Sequence, residues 1–171
     1  MQSRELDRMY SLAYEELRRL AGATLRRESN ASISPTTLVH EAWLKLQASE
    51  QLQVESLLHF KRIAARAMRQ VLVEAARRRN ATKRGNGMML VTFDEALGQG
   101  CPTDDQFLAL DAALSDLARL YPRQAEMIET RYFAGLTVPE TAEVLGISEA
   151  TVNRDWRVAR AWLAVELRDA S

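Results

Sequence analysis

The chain has 171 residues, 47% apolar and 27% charged, with 23 Lys+Arg exactly offset by 23 Asp+Glu. Only seven glycines and four prolines stand among many Ala, Leu, Arg and Glu, a composition that favours helices and argues against a β-sandwich or barrel. The single cysteine, Cys101, excludes an internal disulfide and any multi-cysteine metal site. With no signal-peptide pattern and no apolar run of bilayer length, a cytoplasmic protein is expected.

Helical patterns follow one another along the chain. Residues 5 to 28 place Leu6, Met9, Tyr10, Ala13, Leu17, Leu20, Ala21 and Leu25 at helical spacing. In "SISPTTLVHEAWLKL", residues 32–46, Ser34 is a good N-cap and Pro35 suits the first helical position. Leu38, Val39, Ala42, Trp43 and Leu46 then make one apolar stripe. A polar connection over 48–58, with at most one weak turn, leads to the clearest pattern, His59 to Arg79. There Phe60, Ile63, Ala64, Ala67, Met68, Val71, Leu72 and Ala75 form the stripe, and the three main helices are expected to bundle. Residues 80–104, between "NATKRGNG" and "GQGCPTDD", read as a flexible linker. Helices are expected again at Phe107 to Leu120, Pro122 to Phe133, Val138 to Leu145 and Ser148 to about Arg168. The fold class is all-α: two small helical domains, residues 1–79 and 105–171, joined by that linker.

Charge is unevenly spread. Residues 1–84 hold 16 Lys+Arg against 9 Asp+Glu, whereas residues 105–171 hold 7 against 11. A basic front half points to a polyanion partner there. The third helix concentrates the effect. Arg62, Arg66, Arg69 and Arg77 fall opposite its apolar stripe with Lys61 on the flank, and Arg78, Arg79, Lys83 and Arg84 extend the run.

The most specific motif is "TVPETAEVLGISEATVNRDWRVARAWL", residues 137–163. A short helix ends at Leu145, Gly146 supplies the turn, Ile147 plugs the space between helices, and Ser148 caps a second helix. Val152, Trp156, Ala159 and Leu163 fall on that helix's inner face. This is helix-turn-helix spacing, in which the start of the second helix reaches base edges in the major groove. Glu149, Ala150, Asn153, Arg154 and Arg157 lie off the inner face, and Arg, Asn and Glu carry groups that read guanine, adenine and cytosine. Two DNA-contacting modules on one chain point to two separated sites on one duplex.

"TTLVHEAWLKL", "HFKRIAARAMRQVLVEAARRR" and "PRQAEMIETRYFAGLTVPETAEVLGISEATVNRDWRVARAWL" together resemble the extracytoplasmic-function group of bacterial RNA polymerase sigma factors over nearly the whole chain. The resemblance implies a factor without catalysis of its own that lends promoter specificity to core RNA polymerase. Residues 1–79 would be sigma region 2, which docks on the polymerase clamp and reads and melts the −10 element. Residues 105–171 would be region 4, which contacts the flap and reads the −35 element. By the same resemblance Glu149, Thr151, Asn153, Arg154 and Arg157 fall at −35 contacts, Lys61, Arg62, Arg66 and Arg69 at −10 contacts, and Leu38, His40, Glu41 and Lys45 on the clamp-binding helix. Asp155 departs from the basic residue common at its position. The partners implied are core polymerase and promoter DNA, with no membrane, no cofactor and a monomer when free.

A second reading is a response-regulator or quorum-type activator, whose helix-turn-helix residues 122–163 also resemble. Such proteins carry a receiver or ligand-binding domain in front, and the first 80 residues show neither strand runs nor a pocket. For an enzyme, His40-Glu41 and His59 lack the H-E-x-x-H spacing of a metal site, and Cys101 has no activating base near it in sequence.

One departure from the resemblance stands out. The start of the clamp-binding helix usually carries an acidic cluster, D-A-E-D, which here falls on Ser34, Pro35, Thr36 and Thr37 with no negative charge. Phosphorylation at Thr37, or secondarily Thr36, would supply about −1.5 to −2 charge at a helix end whose dipole favours anions. The partner implied is a Ser/Thr protein kinase.

Overall fold

The computed structural model describes residues 2–26, 33–49, 52–82 and 104–169, and these are helical nearly throughout, with no strand among them. Among the described residues seven α-helices run in order: α1 (Gln2–Arg26), α2 (Pro35–Gln47), α3 (Leu57–Thr82), α4 (Asp104–Leu120), α5 (Pro122–Ile128), α6 (Val138–Leu145) and α7 (Glu149–Asp169). A π-helical turn, Glu129–Phe133, extends α5. Most of the segment expected to link the halves, residues 83–103 with Lys83, Arg84 and Cys101, lies outside the described residues.

The apolar stripes do what their spacing requires. Ala13, Leu17, Ala21 and Leu25 of α1 and Leu38, Val39, Ala42 and Leu46 of α2 are buried, together with Phe60, Ala64, Met68, Val71 and Leu72 of α3. Tyr10 stacks on Trp43 with ring centroids 4.3 Å apart. Burial raises the Tyr10 hydroxyl above its ordinary pKa of 10.0, with Tyr14 adding to the shift. In the second half Phe107, Leu110, Leu114 and Leu117 of α4 pack with Ile128 of α5 and with Ala159, Leu163 and Leu167 of α7, and Met127 and Val152 are fully buried as well.

The buried surface of α3 extends beyond the stripe read from sequence. Ala65, Val73 and Ala76 are also buried, and spacings of three and four put them on the face that carries Arg69. That face meets α4 and the π-helical turn, and the core is continuous from α1 to α7. Arg69 pairs with Asp111 and Arg79 with Asp104, so α3 and α4 run antiparallel. α3 continues to Thr82, three residues past the helix end expected at Arg79.

Residues 129–133 were expected as plain α-helix. Instead the Ala134 amide donates to the Glu129 carbonyl at 3.1 Å, one residue further back than in an α-helix. The wider turn sets both Glu129 and Phe133 against Arg69, which pairs with the first and lies 5.5 Å from the ring of the second. Gly135 follows at φ +65, a left-handed conformation that favours glycine, and it packs against Leu20 of α1, whose Cδ2 would lie 2.5 Å from a Cβ there.

Candidate polymerase and promoter interfaces

The helix-turn-helix is built from local signals. Thr137 caps α6 by accepting from the Glu140 amide, while the Glu140 carboxylate takes the Thr137 amide at 2.8 Å, a complete capping box. The Thr137 amide and hydroxyl, both donating to the carboxylate, and more weakly Lys61 hold the Glu140 carboxyl below the usual value of 4.5. Gly146, at φ +64, ends α6 in the left-handed conformation, and the Ile147 amide returns to the Ala142 carbonyl at 3.0 Å. Ser148 then caps α7, its Oγ accepting from the Thr151 amide at 3.2 Å.

On α7, Val152, Ala159 and Leu163 are fully buried, while Glu149, Asn153, Arg154 and Arg157 are exposed. Thr151 is half-buried with its hydroxyl 2.9 Å from that of Ser148, and Arg157 Nε donates to the Asn153 carbonyl at 3.2 Å. Asp155 does not belong to this outer face. It is only 3% exposed and accepts from Arg123 Nε at 2.7 Å, with Arg154 Nε at 3.5 Å from its other oxygen. Trp156 lies under Arg131, whose guanidinium is 4.6 Å from the ring. Burial pulls the Arg131 guanidinium below its ordinary range.

The basic residues of α3 divide into three kinds. Arg66 is exposed. Arg62 and Arg69 face the second half, Arg62 pairing with Glu126 at 3.4 Å and Arg69 with Asp111 at 2.6 Å and with Glu129. Lys61, expected on the flank of the basic face, instead turns under α1. It is 6% exposed and its Nζ lies 2.6 Å from Glu16 Oε2. A cleft of about 480 Å³ opens between α3 and α4, lined by Arg66, Arg69 and Arg77 on one side and Asp111 and Glu129 on the other. The acids of this seam were not singled out in the sequence. The available signal was their spacing, Asp104 and Asp111 two turns apart and Glu126 and Glu129 one, but nothing local says which helix they meet.

On α2, His40 and Glu41 are exposed, and Lys45 is partly exposed and paired with Glu74 at 2.8 Å. Leu38, expected among the polymerase contacts, is 0% exposed and belongs to the core, where the apolar stripe puts it. Thr36 and Thr37 are both exposed in a first turn without an acid. The Thr37 amide donates to Ser34 Oγ at 3.1 Å and the two hydroxyls are 2.8 Å apart.

Comparison with protein families gives a match to the profile described as ECF sigma factor, over residues 2–169. The chain belongs to the ECF sigma factor family. It is therefore a transcription initiation factor that works on core RNA polymerase and promoter DNA. The match runs through the front half of this sigma factor, where an activator of the response-regulator kind would need its receiver. No curated protein and no solved structure matches the chain. Among the described residues no helix is long and apolar enough to cross a membrane, and no cluster of His, Cys, Asp and Glu could hold a metal ion.

Proposed function

We propose that the outer face of α7 reads the −35 element, that the arginine face of α3 contacts and melts the −10 element, and that α2 docks on the polymerase clamp. In this reading residues 1–79 act as region 2 and residues 105–171 as region 4, which also meets the flap. Residues 80–104 span the distance between them on the polymerase, and the free factor is a monomer. Glu149, Thr151, Asn153, Arg154 and Arg157 are the −35 contacts, supported by the exposure of four of the five behind a capped turn. Arg62, Arg66 and Arg69 are the −10 contacts, while Lys61, held by Glu16, serves the packing of α1 on α3. Clamp contact falls to His40, Glu41 and Lys45.

We further propose that a Ser/Thr kinase switches this factor on at Thr37, with Thr36 the lesser site. The observation that carries this is the exposed first turn of α2, which offers hydroxyls and no carboxylate where the family resemblance leads one to expect acids. A phosphate there would sit at the positive end of the helix dipole and present oxygens suited to arginines of the clamp. The unmodified factor then binds core polymerase poorly and the phosphorylated one binds well. Thr37→Ala should be inactive in cells, and acidic replacements at 36 and 37 should restore part of the activity. Mass spectrometry of the factor from cells in which it is transcribing decides the matter. Active protein with Thr36 and Thr37 unmodified would mean that no such switch exists.

A further inference from the structure

We propose that Arg18 and Arg19 of α1 form a receiving site, within the chain, for a phosphate on Thr36. The two threonines of α2 then do different work: a phosphate on Thr36 ties α2 to α1, and one on Thr37 is left to face polymerase. The site rests on the reading of this turn as a kinase target. The register of α1 on α2 brings the groups together. Tyr10 stacks on Trp43 with ring centroids 4.3 Å apart, and Tyr14 meets His40 edge-on at 6.1 Å, so numbers rise along one helix as they fall along the other. One turn further, from Tyr14 to Arg18 and from His40 to Thr36, the same row continues. Gly22 and Pro35 close the series, lining one cleft of about 670 Å³ together with Arg18 and Arg19. Arg18, Arg19 and Thr36 are all exposed, so a kinase can reach the hydroxyl and the guanidiniums can swing to the phosphate.

Glu15 and Glu16 line the same cleft, yet neither holds an arginine firmly. Glu16 is taken by Lys61 at 2.6 Å, and Glu15 lies 3.4 Å from Arg18 in a pair whose side chains are both at least half exposed. A phosphate brings about −1.5 to −2 charge and three acceptor oxygens, two of which a guanidinium can take at once. Arg18 thus exchanges an exposed carboxylate for a stronger partner. The sequence of α2 sorts the two threonines in the same sense. Thr37 lies about 100° further around the helix than Thr36, away from α1. Four residues on from Thr36 stands His40, whereas four on from Thr37 stands Glu41, which repels a second anion.

Full-length factor carrying phosphothreonine at 36 or at 37, installed during synthesis, tests the site with and without Arg18→Gln and Arg19→Gln together. Both arginines are exposed, so the substitutions leave the fold intact, which helical circular dichroism checks. Phosphorus NMR follows the second ionisation of each phosphate, at about pH 6 in a free side chain. A nearby guanidinium favours the dianion and lowers that value. The double substitution should therefore raise the ionisation of the phosphate on Thr36 by about half a pH unit and leave the one on Thr37 where it was. His40 and Glu41 are the same in every form, so the change reads α1 alone. A phosphate on Thr36 that ignores the substitutions, or one on Thr37 that responds as much, would overturn the receiving site. Affinity of the same proteins for core polymerase judges the kinase reading separately. If neither phosphorylated form binds better than the unmodified factor, the switch fails, while the titration still decides the receiving site.

Discussion

Asp155 sits within the reading portion of α7 and yet turns inward, where it accepts from Arg123 and lies beside Arg154. Under the proposed reading of α7 as the −35 helix, an aspartate is accommodated there because its charge is spent inside the fold and not shown to phosphates. The two neighbours should therefore fail in different ways. Arg154→Ala should leave stability unchanged and lose about 1–3 kcal/mol of discrimination at one or two −35 positions, measured by transcription from a set of promoter variants. Asp155→Ala removes the buried acceptor of Arg123 and should lower the free energy of unfolding in urea by about 1–3 kcal/mol. Equal loss on every promoter variant would make Arg154 a phosphate contact, and unchanged urea stability would make the Asp155 pairing idle. The inward turn of Asp155 was not legible beforehand, because its partner Arg123 is 32 residues away in sequence and belongs to another helix.

At the scale of elements, α6 shows how far local chemistry carries. The capping box at Thr137 and Glu140, the proline in the first turn and Gly146 at the end all act within a few residues, so the sequence alone places this helix and the turn after it. Glu140 also sets a pH dependence. Its carboxyl is held below 4.5 in the folded chain, so its contribution is complete above the unfolded value and is lost as pH falls through the lowered one. Glu140→Gln should thus destabilise the protein near neutrality, with a penalty that shrinks steadily as pH falls below the ordinary carboxyl value of 4.5, read from urea unfolding across that range. A penalty that stayed constant with pH would mean that the carboxylate charge does not matter to the cap. The π-helical turn was beyond the reach of the same reasoning. Pro122 and the apolar spacing continue the pattern smoothly to Phe133, and what marks the widened turn is the distant Arg69 that Glu129 and Phe133 both meet.

For the whole molecule, the charge imbalance of the halves was legible and its first use was not. A front half richer in Lys+Arg and a back half richer in Asp+Glu read as a polyanion site in front. In the folded chain Arg62, Arg69 and Arg79 also pair with Glu126, Asp111, Glu129 and Asp104. Sequence periodicity gives each helix its faces but not the helix that a second buried face will meet, which is why Ala65, Val73 and Ala76 are absent from the stripe read in α3. The central claim is that this ECF sigma factor supplies two promoter-reading faces to core polymerase, and run-off transcription tests it most directly. Core polymerase is given the factor at saturating concentration, unmodified or phosphorylated at Thr37, on DNA from upstream of its own gene. The account predicts discrete transcripts that require the factor, start at a fixed distance from a bipartite element, and are lost when Arg62, Arg66 and Arg69 are replaced by Ala. No transcript with either form, together with sequence-specific binding of the free factor to DNA as a dimer, would contradict it.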